Sequence, residues 1–352
     1  PSKILWLKQQ FSNMEDLKIV SIKEYIVYHL IGEWKVDRGL ASTSGIFNIR
    51  ENRYDNKLMN VLGVCREQFS EAVANSYTFD FEIKGKKITG VMGATDGVLA
   101  NLGVGAINQG DIVMTVGSSS AVRAVTKKPV FDPERKAWCY ILDEDYYVIG
   151  EASNGAGLLL EWLARLFRYD DAKEMVAENI PHIPYPGNDM VQIPTYMGER
   201  GPNYNEDLRG LVYGLSLNHS RSDIIINLFE SIALFLKMIY EDVERVINDP
   251  ISSIIMTGGL GLSSRFKELA LYLIGDIQYL PGHSQNTAIG AAMMAVKEIK
   301  GTSYSKLINH LPSTKIVQRD KDIDFARYIN NKYERFLRVY QGLVNEKNKY
   351  NK

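Results

Sequence analysis

Cysteine is almost missing from this sequence: Cys65 and Cys139 are the only two in 352 residues. Two cysteines at that spacing build neither a disulfide framework nor a zinc box. Such sparing use implies a reducing compartment, so a cytoplasmic protein is expected. Net charge is lacking as well, with 41 Lys+Arg against 42 Asp+Glu. That balance argues against a protein that coats nucleic acid or an anionic membrane. No run reaches the ~18–20 uninterrupted apolar residues of a membrane span. The nearest, Asp223–Tyr240, carries Asp223, Glu230 and Lys237 and reads as an amphipathic helix. The pattern G-x-x-x-x-G-K-[ST] occurs nowhere, which removes the P-loop class of nucleotide-binding proteins. Internal repeats and low-complexity tracts are absent too.

What remains is a chain that is 45% apolar, ample for a folded core, and long enough for one large or two medium domains. Ser21–Gly32 reads as a helix ending at Gly32, with Ile22, Tyr25, Ile26, His29 and Leu30 on one face. Phe81–Gly93 reads as strand with a turn at Gly85. Short β-rich runs follow at Asp111–Gly117, Lys136–Leu142 and Tyr146–Gly150. Gly157–Arg168 has the apolar stripe of an amphipathic helix, formed by Leu158, Leu159, Trp162, Leu163, Leu166 and Phe167. Pro181–Asp207 holds five of the eleven prolines and reads as irregular loop. A long helix from Asp223 leads to a buried strand, Ile251–Gly259, then to helices over Ser263–Ile274 and Thr287–Ile299 with a short strand between. The tail from Lys315 has ten basic and five acidic residues. Its stripe of Phe325, Ile329, Phe336, Tyr340 and Val344 favours a docked helix over an RNA-binding arm. Strands mixed with helices predict an α/β chain in at least two units, with a seam between Gly90 and Gly110.

Four corners share one grammar, in which a hydrophobic strand gives way to glycine and small hydroxyl residues. They are ITGVMGATDGVLANLGVGA around Asp96, IVMTVGSSSAVR around Gly117 and Ser118, YMGERGPNYNEDLRGLVYGLS, and SIIMTGGLGLSSRF around Gly258 and Gly259. Glycine at a strand end lets backbone approach a ligand, and bare N–H groups form a nest for phosphate oxygens. An unhindered carboxylate such as Asp96 can accept a proton from a hydroxyl that attacks phosphorus. Alternatives stand beside each reading: Asp96 as a helix N-cap, GSSS as a plain turn, Glu199–Arg200 as a surface pair, and His219 as a loop histidine.

Taken together, the corners resemble the FGGY carbohydrate kinases, and within them the gluconate kinases. Lys3-Ile4-Leu5-Trp6-Leu7-Lys8-Gln9-Gln10 is similar to the family's first signature. Gly198-Glu199-Arg200 with Pro202 resembles its GER-x-P run, and Gly210-Leu211-Val212-Tyr213-Gly214-Leu215 with Asp223 its second signature. GATDGVLANLGVGAINQGDIVMTVGSSSAVR and the run from Cys139 through GEASNGAG point to the gluconate branch. The resemblance implies an actin-like, ribonuclease H-like fold with two α/β domains, here 1–106 and 107–352, closing on a cleft.

It also implies roles. Asp96 falls on the catalytic base, with Gly97 beside the sugar; Gly117 and Ser118 fall on a phosphate turn. Gly210 and Tyr213 fall on the nucleotide wall, and Gly258, Gly259 and Ser263 on the adenosine motif. ATP and Mg²⁺ are the implied cofactors and gluconate the implied acceptor, giving 6-phosphogluconate. Xylulose, ribulose or glycerol are the alternative acceptors, and a catalytically weak nucleotide- or sugar-binding relative is the third reading. No nucleic acid or membrane partner is expected, and pairing of identical subunits follows from family habit alone. Asn227 stands where the second signature has a small residue. The run after Gly259 lacks the family's Gln…Ala-Asp, and SQNTAIGAA lacks its acidic residue. The family's opening strand and its D-x-G-T-T-S-like turn are not in the sequence. From that difference the chain alone is expected to be inactive and poorly stable, with an open apolar sheet edge.

Overall fold

Glycine and capping side chains punctuate the first hundred residues into short elements. The computed structural model describes all residues except 12, 182–184, 186, 281–284, 318–321 and 351–352, and the side chains of 347–350. Parts of the Pro181–Asp207 loop, Ser284 of SQNTAIGAA and parts of the tail thus lie outside the described residues. The chain opens with α1 (Ser2–Gln10) and α2 (Ile22–Ile31). A reciprocal capping box between Ser21 and Glu24 starts α2, and Gly32 in the left-handed conformation stops it. Then come β1 (Lys35–Asp37), α3 (Arg38–Ser42), the small hairpin β2 (Phe47–Asn48) and β3 (Arg53–Tyr54), α4 (Asn56–Leu62) and β4 (Glu71–Val73). β1 and β4 pair in parallel as a two-stranded sheet. The hairpin β5 (Thr78–Ile83) and β6 (Lys86–Val91) turns at Lys84-Gly85, both at positive φ. It leads into α5 (Asp96–Gly103).

The face expected to be buried on α2 is the exposed one. Glu24 and Val27 go inside, while Ile22, Tyr25 and Ile26 remain in solvent. Periodicity gives the width of an apolar stripe, and the neighbouring element decides whether it is covered. Here Val27 packs with Val73 and Met92, on the other side of the helix.

The second half is built around one seven-stranded sheet, ordered β15-β14-β13-β7-β8-β10-β9. Its strands are β7 (Asp111–Val116), β8 (Ser120–Thr126), β9 (Trp138–Asp143), β10 (Tyr146–Ser153), β13 (Ser253–Thr257), β14 (Gln278–Tyr279) and β15 (Lys315–Ile316). β7, β8, β10 and β9 pair antiparallel in that order, β10 lying between β8 and the edge strand β9, and β13 joins β7 in parallel. The intervening chain carries α6 (Gly157–Leu166), α7 (Ala172–Asn179), the small sheet β11 (Val191–Ile193) with β12 (Leu211–Tyr213), and α8 (Arg221–Ile247). After β13 come α9 (Ser264–Leu273), α10 (Asn286–Lys300), α11 (Tyr304–Ile308) and α12 (Ile323–Tyr350).

Strand alternation divides the core in two. Ile112, Met114, Val116, Val122 and Ala124 face a large cluster with α6, α8, α9 and α12. Val125, Leu142 and Val148 point the other way, onto α5 and α10. α6 buries Leu159, Leu160, Leu163 and Ala164, so its covered stripe is rotated from the expected one and Leu158, Trp162 and Leu166 stay largely exposed.

The tail helix is docked as its stripe requires: Phe325, Ile329, Phe336, Tyr340 and Val344 are all buried. Each such side chain contributes roughly 1.5–3 kcal/mol of apolar burial. A buried polar cluster pins the same helix. Lys332 pairs with Glu230 of α8, which also accepts from Tyr185 at 2.8 Å and from Tyr328 at 3.0 Å. Among the described residues no helix is long and apolar enough to cross a membrane.

Candidate active site

The site assembles where α5 meets the ends of β7 and β13. Thr95 occupies the N-cap of α5, so Asp96 is the first helical residue rather than the cap. Its carboxylate is exposed and accepts from the Gly97 N–H at 2.7 Å. The Asp96 carbonyl accepts from the Thr287 hydroxyl at 3.3 Å, which ties α5 to α10 at this end. Further along, the two helices touch through glycine. A Cβ added at Gly290 would lie 2.0 Å from the Leu99 oxygen, and one at Gly103 would lie 1.8 Å from the Asn286 oxygen. Only residues without a side chain permit that approach.

Beneath the first turn of α5 lies Arg123, on β8, which the sequence reading missed. Its guanidinium packs against Gly97, where an added Cβ would sit 3.3 Å from Nε. Nη1 donates to the Thr115 hydroxyl at 3.1 Å, and Thr115 in turn meets Thr257 Oγ1 at 3.0 Å. Burial pushes the Arg123 pKa down to about 10, opposed by the Asp96 carboxylate and reinforced by Arg200. It therefore stays charged at neutral pH.

Gly258 is held at positive φ, where a Cβ would strike the Val116 carbonyl at 2.4 Å. The β13 corner thereby closes onto the end of β7, and Gly261 N–H donates to the same carbonyl at 2.9 Å. The β7–β8 turn is anchored from the other side. Backbone N–H groups of Ala156 and Leu158 donate to the Ser118 carbonyl at 3.0 and 3.1 Å, and Gly157 donates to the Gly117 carbonyl at 2.8 Å. Gly259 has open space where a side chain would be, and Gly117 nearly so, its closest neighbour being Ser119 O at 4.0 Å. The Gly117 N–H is held within its own turn by the Ser119 carbonyl at 2.9 Å, and glycine turns of this kind, open on the side-chain side, let an anion approach the backbone.

The remaining sequence candidates fall elsewhere. Ser263 caps α9, its hydroxyl accepting from Phe266 N–H at 3.3 Å. Gly210 abuts the Tyr196 ring, which tilts on Trp162 of α6 at 5.2 Å. Tyr213 is exposed on β12 beneath the Arg335 guanidinium of α12. Glu199 and Arg200 are not a surface pair. Glu199 is buried against Tyr340 and Asn203, while Arg200 is exposed. His219 accepts from Ser216 N–H at 3.0 Å within its own loop. Asn227 is wholly buried and donates to the Met190 carbonyl, which accounts for a polar side chain at that position.

Glu151 is the second group the sequence reading missed. It is fully buried, neither carboxyl oxygen has a partner among the described residues, and burial raises its pKa to about 9. Its side chain lies under Gly201, whose added Cβ would be 2.7 Å from Glu151 Cγ.

The C-terminal domain of the FGGY family of carbohydrate kinases matches residues 112–298, and the N-terminal domain of that family matches residues 1–103. A gluconokinase of Bacillus subtilis (strain 168) is 26% identical, over 98% of this chain and 74% of its own length. The ligand-bound xylulose kinase from Lactobacillus acidophilus superposes with a TM-score of 0.87 at 23% identity, over 99% of this chain and 73% of that one. Glycerol kinase from Plasmodium falciparum, solved with ADP, gives 0.80 at 20% identity, over 96% and 71%. With both domains matched and the actin-like fold shared, the chain belongs to the FGGY family of carbohydrate kinases.

Proposed function

We propose that this carbohydrate kinase phosphorylates gluconate from ATP, yielding 6-phosphogluconate, with Asp96 as general base. The observation that carries the reading is the exposed Asp96 carboxylate on the helix turn that packs over Arg123 at Gly97, with Arg123 bonded to Thr115 and Thr115 to Thr257 beside the two glycine turns. In the reaction the Asp96 carboxylate takes the proton of the acceptor hydroxyl as that oxygen attacks the γ-phosphorus. The bond from phosphorus to the bridging oxygen breaks, and ADP leaves. Backbone N–H groups of Ser118, Gly258 and Gly259 cradle phosphates, at a turn that Gly117 keeps free of a side chain while its own N–H is held by the Ser119 carbonyl, and Gly97, packed on Arg123, lies beside the acceptor. Gly210, Tyr213 and Ser263 are assigned to the adenosine side, Ser263 acting through the start of α9. Among the described residues no group of three His, Cys, Asp or Glu could hold a metal ion. Magnesium is taken to be supplied as Mg·ATP, and no step is routed through a protein-bound ion. Gluconate is preferred over xylulose and glycerol because of the gluconokinase relative.

The test is ADP release by the full-length protein with Mg·ATP, across gluconate, xylulose, ribulose and glycerol, beside Asp96→Asn. Turnover on gluconate well above the others is expected, lost by about 10²-fold or more in the variant. A preference for another polyol would move the substrate and keep the base. ATP binding without turnover on any of them would overturn the assignment in favour of a nucleotide-binding relative.

A further inference from the structure

One row of the central sheet places a cation where the reading above needs none for structure. Val113, Arg123, Gly150 and Trp138 lie side by side across β7, β8, β10 and β9. Gly150 has no side chain, and the Trp138 ring fills the room this leaves, 2.9 Å from where a Cβ would stand. Arg123 is thus confined between Thr115 on one side and the glycine–indole step on the other, with Gly97 above it. Its Nη1 has the Thr115 hydroxyl, but its buried Nε has no acceptor among the described residues. The Trp138 Nε1 is buried without one as well. No carboxylate forms an ion pair with Arg123 among the described residues; the charges that act on it are those of Asp96 and Arg200. A confined guanidinium beside a proton acceptor, with a donor left over, is arranged for an anion that arrives with the substrates.

We infer that Arg123 donates to the phosphoryl group as it passes to the hydroxyl activated by Asp96. This rests on the kinase reading of the site but not on which sugar is the acceptor. The base holds the attacking hydroxyl, and the phosphorus lies one forming bond beyond that oxygen, so a guanidinium packed on Gly97 is placed beside the migrating phosphoryl. The carboxylate of a sugar acid lies at the far end of its carbon chain from the terminal hydroxyl. The phosphoryl's equatorial oxygens carry the spreading charge, and fixed donors aimed there stabilise the transition state more than the ground state. Arg123 forms no covalent bond and transfers no proton.

The experiment compares full-length wild type with Arg123→Ala and Arg123→Lys on whichever acceptor the wild type turns over, and on water as acceptor by ATP hydrolysis. Arg123→Ala is expected to lose about 10²–10³-fold in kcat, with the sugar KM changed by less than about threefold. Added methylguanidinium is expected to restore part of that loss, and Arg123→Lys to keep the folded state with an intermediate kcat. A kcat for Arg123→Ala within about threefold of wild type would overturn the inference. So would a loss confined to KM for an acidic sugar and absent for a neutral one, since that assigns Arg123 to the acceptor carboxylate. A lowered Tm in both variants with no guanidinium rescue would assign it to packing. Because the hydrolysis arm needs no sugar, a wrong substrate and a wrong role for Arg123 give different results.

Discussion

Replacing Gly290 with alanine puts the glycine contact between α5 and α10 to a quantitative test. The new Cβ would lie 2.0 Å from the Leu99 oxygen, whereas real Cβ atoms essentially never approach closer than 3.0 Å. The obstacle is backbone, so no rotamer change relieves it, and the helices must part by about 1 Å. Overpacking of this kind costs typically ~1–3 kcal/mol. The kinetic effect is expected to be larger. α5 carries Asp96 on its first turn, and the Thr287–Asp96 contact at 3.3 Å has no slack for such a shift. A displacement of about 1 Å at a reacting group costs on the order of 10²-fold in kcat. The assay is steady-state kcat of the full-length protein together with Tm by calorimetry. Gly342→Ala serves as the control, because a Cβ there meets nothing within 4 Å on the α12 surface. That change is expected to leave kcat alone and to add up to ~1 kcal/mol of helix stability. Wild-type kcat and Tm in Gly290→Ala would refute backbone contact as the device that places Asp96.

Two further outcomes follow from buried and bare positions. Glu151 has its pKa raised from 4.5 to about 9 by burial. Between those values the unfolded chain is ionised at this site and the folded one protonated, so wild-type stability falls as pH rises through that window. Glu151→Gln should abolish that component, gaining on wild type by up to roughly 1 kcal/mol per pH unit; denaturant midpoints at pH 5.5, 7 and 8.5 that run parallel for the two proteins would refute it. Gly259→Ala, which places a methyl group in open space, should raise KM for ATP several-fold with Tm unchanged. A fall in Tm with KM intact would make that glycine structural.

The parts of the fold legible in the sequence are those where a pattern and its neighbour coincide. The α12 stripe is long enough for its period to identify the covered face, and all five of its apolar residues are buried. The α2 stripe is equally periodic yet faces solvent, because the chain packs Val27 rather than Ile26 against Val73 and Met92. Asp96, Gly117 and Gly258 stand out as candidates because strand-end glycine is a local signal. The approach of Gly258 to Val116 depends on the β7–β13 pairing, which is not local. Arg123 left a trace: a lone cation inside the apolar run Ala121–Val125, directly after the GSSS corner. Glu151 left the same kind of trace inside β10. Ser263, assigned to the adenosine side, also caps α9, a use of a hydroxyl at a helix start that sequence does not separate from a ligand contact.

The parallel pairing of β7 with β13 also fixes when the corner can exist during folding. Thr115 and Thr257 are 142 residues apart in the chain. The pairs β7–β8 and β9–β10 can zip by short connections and β10 then reaches β8 across β9 alone, but bringing β13 alongside closes a loop whose entropy cost grows by about 4 kcal/mol over that length. Non-local pairing of this kind sets slow folding. Gly258 reaches Val116 only after that closure, so the cradle is among the last features to form. Nucleotide cannot act as a template for the earlier strand pairs; what it can do is hold the finished register shut and slow its opening.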